Sequence, residues 1–211
     1  MIGILGGTFD PVHFGHLRPA LEIQQSLELA EVRLIPCHLP PHRSPPVASP
    51  DMRVRLLEVA VKNYPQLRVD RRELGREGPS YTFDTLASLH EELPEGTFCL
   101  LIGMDAFREL PTWHRWNELI ELCHMVVMTR PGSDVPQQGK LADFIQRYQV
   151  RDAADLRDRQ NGGLLFQPVT QLEISASQVR SLLGAGRSAG FLLPESVIEL
   201  IRQEGLYRRS R

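Results

Sequence analysis

The sequence predicts an α/β protein built on a doubly wound, mostly parallel sheet with helices on both faces and a small C-terminal helical part. Short apolar runs alternate with helical patterns over most of the chain, which is typical of parallel strands joined by crossover helices. The first apolar run also ends in two glycines just before a helical pattern begins. Because ligands of such sheets bind beyond the carboxyl ends of the strands, a site is expected at that junction.

Six strands are predicted, each from a short apolar run that ends at a turn signal or before a helical pattern. The first run is apolar and branched, as expected of a buried strand, and the glycines after Leu5 mark its end. The predicted strands are Ile2 to Leu5, Val32 to Pro36, Leu67 to Asp70, Phe98 to Ile102, Met125 to Thr129 and Leu164 to Gln167.

Helical patterns lie between these strands. The first begins near Phe14, because residues suited to one helix face then follow at helical spacing up to Leu27. The others are Met52 to Lys62, Thr82 to Glu92, Asn117 to Cys123 and Gly139 to Tyr148.

Two connecting segments are predicted to be irregular. The proline-rich segment Leu39 to Pro46 cannot form a helix or an inner strand, so we expect a surface loop and a candidate flap on the substrate side. The charged stretch Asp70 to Glu77 is expected to be a solvated turn.

Length and charge limit the class of protein. A chain of 211 residues, 42% of them hydrophobic, fits one domain over residues 1–211 with a real core, in which residues from about 175 to 211 form the C-terminal helical portion. A formal net charge of -2 gives no general argument for a nucleic-acid or membrane partner, and neither is expected. The oligomeric state stays open, a homo-oligomer included.

Cysteine usage and the first residues indicate a cytoplasmic protein. The three cysteines, Cys37, Cys99 and Cys123, are widely spaced and lie in or beside apolar stretches. Buried thiols are therefore expected in place of a disulfide framework. The chain begins without a basic region and a long apolar run, and no stretch approaches about 18 apolar residues, so neither secretion nor membrane spanning is expected.

The junction from Gly6 to His16 combines residues suited to phosphate chemistry, in the order Gly-Gly-Thr-Phe-Asp-Pro-Val-His-Phe-Gly-His. Glycines let the backbone approach a ligand, and the first helical turn leaves N–H groups that attract phosphate. His13 and His16 are three residues apart, so both imidazoles can face one spot and stabilise charge on a reacting phosphate. Taken alone, either histidine could also be a cap or a packed residue. A zinc site would need three or four ligands, and no third is evident nearby in the sequence.

A second cluster lies late in the chain, from Ile174 to Arg180. Ser175 followed by Gln178 forms a capping-box pattern, which by itself is an adequate structural explanation. Ser177 and Arg180 are three residues apart at the start of the same predicted helix. A hydroxyl, a guanidinium and backbone amides together there would suit a di- or triphosphate tail.

Both clusters resemble signatures of the nucleotidylyltransferase superfamily. The first matches G-G-x-F-x-P-x-H-x-G-H at every fixed position, and the second matches I-S-x-[ST]-x-[IV]-R, with Ala176 where many relatives have serine. The resemblance implies a Rossmann-like fold and nucleotidyl transfer. It implies catalytic roles for His13, His16 and Arg180. The positions implied to bind ATP and its phosphates are Gly6, Gly7, Thr8, Phe9, Gly103, Asp105, Ser175 and Ser177.

Further segments narrow the resemblance to bacterial nicotinate mononucleotide adenylyltransferases, over about residues 3 to 208. These segments are Pro40 to Arg43, Pro79 to Thr82, Ile102 to Asp105, Pro111 to Trp113 and Glu204 to Arg208. The resemblance implies transfer of the adenylyl group of ATP to nicotinate mononucleotide, giving deamido-NAD and pyrophosphate in NAD biosynthesis. ATP and the mononucleotide are then the small-molecule substrates. Mg²⁺ is expected through the ATP phosphates, with no metal ligands from the protein.

The same resemblance assigns residues to the mononucleotide. They are His42, Arg43, Ser80, Tyr81, Thr82 and Trp113, with Trp113 stacking on the pyridine ring and His42 meeting the mononucleotide phosphate. One assignment also has a physical basis, since Ser80 to Thr82 precede a helical pattern. Amides at a helix N-terminus favour a carboxylate over a neutral amide, so the acid substrate is expected to be preferred.

Four other functions would fit parts of this sequence. A pantetheine-phosphate adenylyltransferase would share both phosphate motifs, but the segments around Tyr81 and Trp113 argue against it, as they do against a cytidylyltransferase. A catalytically inactive nucleotide sensor would keep the fold, although the intact His13, His16 and Arg180 speak against it. A dinucleotide-dependent dehydrogenase would need the G-x-G-x-x-G spacing, which this junction lacks.

Overall fold

The predicted doubly wound α/β fold is confirmed by the computed structural model, which describes residues 1–40, 45–130, 132, 134–170 and 172–208. Six strands pair in the order β3-β2-β1-β4-β5-β6, and every pairing is parallel. The strands are β1 (Ile2–Gly7), β2 (Glu31–Pro36), β3 (Leu67–Val69), β4 (Phe98–Gly103), β5 (His124–Thr129) and β6 (Leu164–Pro168).

Helices connect successive strands. In the described part they are α1 (Phe14–Ser26), α2 (Pro50–Val61), α3 (Thr82–Glu92), α4 (Met104–Glu109), α5 (Leu119–Leu122), α6 (Lys140–Tyr148), α7 (Ala153–Arg157), α8 (Ala176–Gly184) and α9 (Glu195–Gln203). The C-terminal portion of the chain contains α8 and α9. No helix among the described residues is long and apolar enough to cross a membrane.

The sheet separates two hydrophobic cores because successive side chains of a strand point to opposite faces. In β4, Cys99 and Leu101 join the core formed with α1, α2, α8 and α9. Leu100 and Ile102 join the other core, formed with α3, α4, α5 and α6. Both faces are therefore covered, which explains why these strands are nearly continuous apolar runs in the sequence.

Predicted boundaries differ from the observed ones where turn chemistry intervenes. β1 continues through both glycines, since Gly7 is still in register with Pro36 of β2. The helix predicted from Asn117 to Cys123 is divided into a 3₁₀ turn at Trp116–Glu118 and the short α5. The predicted N-cap of α8 is confirmed, because the Gln178 amide donates to Ser175 Oγ over 3.1 Å.

Candidate active site

The switch in strand order falls between β1 and β4, and both strands end there in glycine. A Cβ atom added to Gly6 or to Gly103 would meet nothing within 4 Å. The carboxyl edge of the sheet is thus open above these two glycines. In doubly wound sheets this crevice is the ligand site.

The start of α1 brings the two motif histidines together at this edge. Their rings stack with centroids 3.8 Å apart and an interplanar angle of 29°, which confirms that both face one spot. His13 is the N-cap of α1 but supplies no side-chain cap. A Cβ at Gly15 would lie 2.9 Å from His13 Nδ1, so the close approach of this ring requires glycine.

His13 is a buried, uncharged imidazole. It is 4% exposed, and burial lowers the pKa of His13 to about 4. Its Nδ1 atom is buried without a hydrogen-bond partner among the described residues. A buried nitrogen without a hydrogen-bond partner is unusual in a folded protein. At a ligand crevice, such a nitrogen is suited to form a hydrogen bond with a group of the substrate.

We expect His13 to make the protein less stable in mild acid. Its pKa is about 4 when folded and about 6.5 when unfolded, so the unfolded chain takes up the proton first. The contribution of neutral His13 to the free energy of unfolding is fully present above pH 6.5. It declines as the pH falls towards 4, by about 3 kcal/mol in total. Urea denaturation at a series of pH values measures this loss. His13→Gln is the control, because it should remove this part of the pH dependence; equal slopes in both proteins would contradict the expectation.

The loop between β1 and α1 offers its backbone to a ligand. Phe9 has a left-handed backbone, with φ of 50°, and its buried ring lies over Gly7, where an added Cβ would be 2.9 Å from the ring. The side chain of Phe9 therefore belongs to the core, and only its backbone can serve phosphate. Thr8 Oγ1 accepts a hydrogen bond from Cys37 Sγ at 3.8 Å.

Arg53, which no sequence motif identified, supports this loop by hydrogen bonds. It is fully buried on α2 and donates to the carbonyl oxygens of Thr8, over 2.9 Å, and Cys37, over 2.8 Å. These carbonyls lie just beyond the ends of β1 and β2. Arg53 therefore fixes the spacing of two loops at the carboxyl edge.

The late motif lies directly beside the first one. Arg180 donates through Nη1 to the Asp10 carbonyl over 2.6 Å and through Nη2 to Ser177 Oγ over 3.3 Å. The hydroxyl of Ser175 caps α8, whereas the hydroxyl of the exposed Ser177 lies beside the guanidinium. Two motifs separated by most of the chain thus form one cluster.

The predicted carboxylate-binding segment begins α3. Tyr81 is the N-cap and provides no side-chain cap, which leaves first-turn amides for a ligand. Ser80 Oγ instead accepts a hydrogen bond from the His38 amide over 2.9 Å. The hydroxyl of Ser80 therefore joins the end of β2 to α3, and a ligand can be met by backbone.

A buried carboxylate supports this segment, so the predicted solvated turn over residues 70–77 is wrong for Glu73. Glu73 is buried and accepts a hydrogen bond from Thr85 Oγ1 over 2.7 Å. Burial raises the pKa of Glu73, while hydrogen bonds from Thr85 and Ser80 oppose the shift. The spacing of charges in the sequence gave no sign that Arg72, Glu73 and Arg76 form hydrogen bonds with α3.

Trp113 is half-buried against the second core. The ring of the neighbouring His114 contacts that of Tyr81 at the start of α3, with centroids 4.5 Å apart and tilted planes. Trp116 also packs inward and contacts Phe144. Two further predicted residues, His42 and Arg43, lie outside the described residues.

The last predicted residue, Asp105, is exposed in the first turn of α4. The N-cap of that helix is Gly103, so capping does not explain the carboxylate. Within the described ranges, no group of three or more His, Cys, Asp and Glu side chains is placed to hold a metal ion.

The fold and the two adjoining motifs define this protein as a nucleotidyltransferase. In agreement, the model of the cytidylyltransferase-like family matches residues 4–182. More specifically, the chain belongs to the nicotinate-nucleotide adenylyltransferase family. It is 49% identical over 99% of its length to the whole of a Methylococcus capsulatus protein named "Probable nicotinate-nucleotide adenylyltransferase". It is 47% identical over 98% of its length to an Aeromonas hydrophila protein of the same name, of which 97% is covered.

Solved structures agree on the fold. The chain resembles a structure entitled "Plasmodium falciparum nicotinic acid mononucleotide adenylyltransferase complexed with NaAD", with a TM-score of 0.72 and 17% identity, covering 98% of this chain and 96% of the other. A structure of the same protein "complexed with APC" gives a TM-score of 0.71 over the same shares.

Proposed function

We propose that this protein transfers the adenylyl group of ATP to nicotinate mononucleotide, giving deamido-NAD and pyrophosphate. The observation that carries the proposal is the cluster at the β1–α1 junction, where the stacked His13 and His16 rings follow Asp10 in the chain and Arg180 contacts Asp10. The names of relatives that match over nearly their whole length support the choice of substrates.

The reaction is an in-line phosphoryl displacement. An oxygen of the mononucleotide 5'-phosphate attacks the α-phosphorus of ATP, and the bond from that phosphorus to the bridging oxygen of the β-phosphate breaks. Pyrophosphate leaves, and no covalent protein intermediate forms. The protein then acts by positioning the two phosphates and by stabilising the negative transition state.

Different residues of the described part position the phosphates and stabilise the transition state. His13 and His16 face the reacting phosphate, and the amides from Gly6 to Phe9 with the first turn of α1 receive its oxygens. Ser177 and Arg180 hold the leaving pyrophosphate, for which a guanidinium offers several charge-assisted hydrogen bonds. Gly103 leaves room for the nucleotide beyond β4.

The nicotinate end is assigned to the start of α3. The uncapped amides after Tyr81 favour a carboxylate. Trp113 is the chain neighbour of His114, whose ring contacts Tyr81. Stacking of Trp113 on the pyridine ring and contact of His42 and Arg43 with the mononucleotide stay predictions.

We also propose that Mg²⁺ binds together with ATP. A hard cation neutralises a triphosphate through phosphate oxygens and water. The exposed Asp105 carboxylate, in the first turn of α4 just after β4, is assigned to accept a hydrogen bond from ribose or from a metal-bound water.

Pyrophosphate release with ATP and Mg²⁺ tests the proposal, using nicotinate mononucleotide, nicotinamide mononucleotide and 4'-phosphopantetheine in parallel. We expect rapid turnover with the acid and at least about tenfold lower kcat/KM with the amide, since a helix N-terminus and its amides favour the charged group. Equal use of acid and amide would contradict the role assigned to α3. Turnover with phosphopantetheine alone, or none with any acceptor, would overturn the proposed function.

A further inference from the structure

The carboxylate of Asp10 binds two segments that are distant from it in the sequence. It is 2% exposed, and its oxygens accept hydrogen bonds from the Val47 amide over 2.8 Å, the Ala48 amide over 3.1 Å and the Tyr207 hydroxyl over 2.7 Å. Burial and the neighbouring Asp10 charge raise the pKa of Tyr207, so its hydroxyl remains a donor.

The same residue orients the arginine assigned to the leaving group. Arg180 Nη1 lies 2.6 Å from the Asp10 carbonyl oxygen and 3.7 Å from Oδ2. Its other terminal nitrogen lies against Ser177, and 30% of the side chain stays exposed. One side of the guanidinium is therefore fixed by Asp10 while the rest can meet a ligand. A planar cation held in this way needs little further ordering when phosphate binds.

We propose that Asp10 is a positioning residue for the triphosphate, acting through Arg180, with Tyr207 and the segment at Val47 and Ala48 holding its carboxylate in place. This inference deepens the proposed function and rests on the role given there to Arg180. It adds a residue from the C-terminal segment to the machinery of the site.

Affinity for ATP, measured by calorimetry with Mg²⁺ and no acceptor, tests the proposal through a double-mutant cycle. The four proteins are the unaltered chain, Asp10→Asn, Arg180→Lys and the double variant. We expect Asp10→Asn to weaken ATP binding about tenfold, and to weaken it less than about twofold once Arg180 is lysine, because interacting residues are not additive. Equal weakening in both backgrounds, or none in either, would overturn the proposal.

A milder substitution tests the proposal if the Asp10→Asn variant does not fold. Tyr207→Phe removes one hydrogen bond to Asp10 and should weaken ATP in the same direction, again only when Arg180 is present. Tyr64→Phe is the matched control, since Tyr64 is 45% exposed on the surface and should leave affinity unchanged. An effect of Tyr207→Phe that persists with Lys at position 180 would show a merely structural role.

The binding measurement also separates this proposal from the proposed function. ATP affinity requires no acceptor and no turnover. A protein that binds ATP with the expected non-additivity but releases no pyrophosphate would support the role of Asp10 and overturn the assigned reaction.

Discussion

Replacing His16 with alanine is expected to lower kcat for adenylyl transfer by about 10² to 10³-fold, the usual loss when one preorganised group facing a developing charge is removed. His16 is the partly exposed member of the stacked pair. Buried His13 is neutral near pH 7 because its pKa is about 4. His16 is therefore the ring that is better placed to meet the reacting phosphate.

The kinetics of two variants measure this effect. His16→Gln, which keeps an N–H donor, should recover part of the lost kcat, whereas the KM for ATP should change little in either variant. Thermal unfolding of each variant checks that the fold is retained. If His16→Ala turned over within about threefold of the unaltered protein, the catalytic assignment would be wrong. A change confined to ATP affinity is instead what a nucleotide sensor would show.

Replacing Arg53 with alanine is expected to lower the free energy of unfolding by about 3 kcal/mol. The change leaves a cavity in place of a fully buried side chain and removes the hydrogen bonds to the Thr8 and Cys37 carbonyls. Urea denaturation gives the value. Because the two loops lose their common support, we also expect higher KM values for both substrates.

Arg55→Ala is the matched control for this prediction. Arg55 lies two residues further along α2, is 49% exposed and pairs with Glu204 on the surface. Exposed ion pairs contribute little, so its loss should be within about 1 kcal/mol. Similar losses for Arg53→Ala and Arg55→Ala would show that the buried guanidinium does not support the loops.

The sheet and the contacts within each motif could be predicted because they depend on local patterns. Apolar runs gave all six strands, and a separation of three residues was enough to place His13 beside His16 and Ser177 beside Arg180. The glycines after the first apolar run likewise marked the ligand edge of the sheet. Each of these inferences needs only the periodicity of a helix or strand.

Contacts between distant segments could not be predicted in this way. Arg53 occurs in a helical pattern that gives no sign of a buried charge, and Glu73 occurs in a charged stretch that the sequence predicts to be a solvated turn. Asp10 occupies a variable position of the phosphate signature, and its partners include residues 37 and 197 positions away. Such contacts are decided by the packing of α2, α3 and the C-terminal segment, for which composition and spacing carry no signal.

The hydrogen bond from Tyr207 to Asp10 also has a consequence for the order of events during synthesis. The glycine loop and both histidines leave the ribosome first, but Arg180 and Tyr207 follow only after all six strands have been made. Domains can fold as they emerge, and a ligand stabilises only states that bind it. We therefore expect ATP to give little help to the growing chain and to stabilise the protein only after its C-terminal segment has docked.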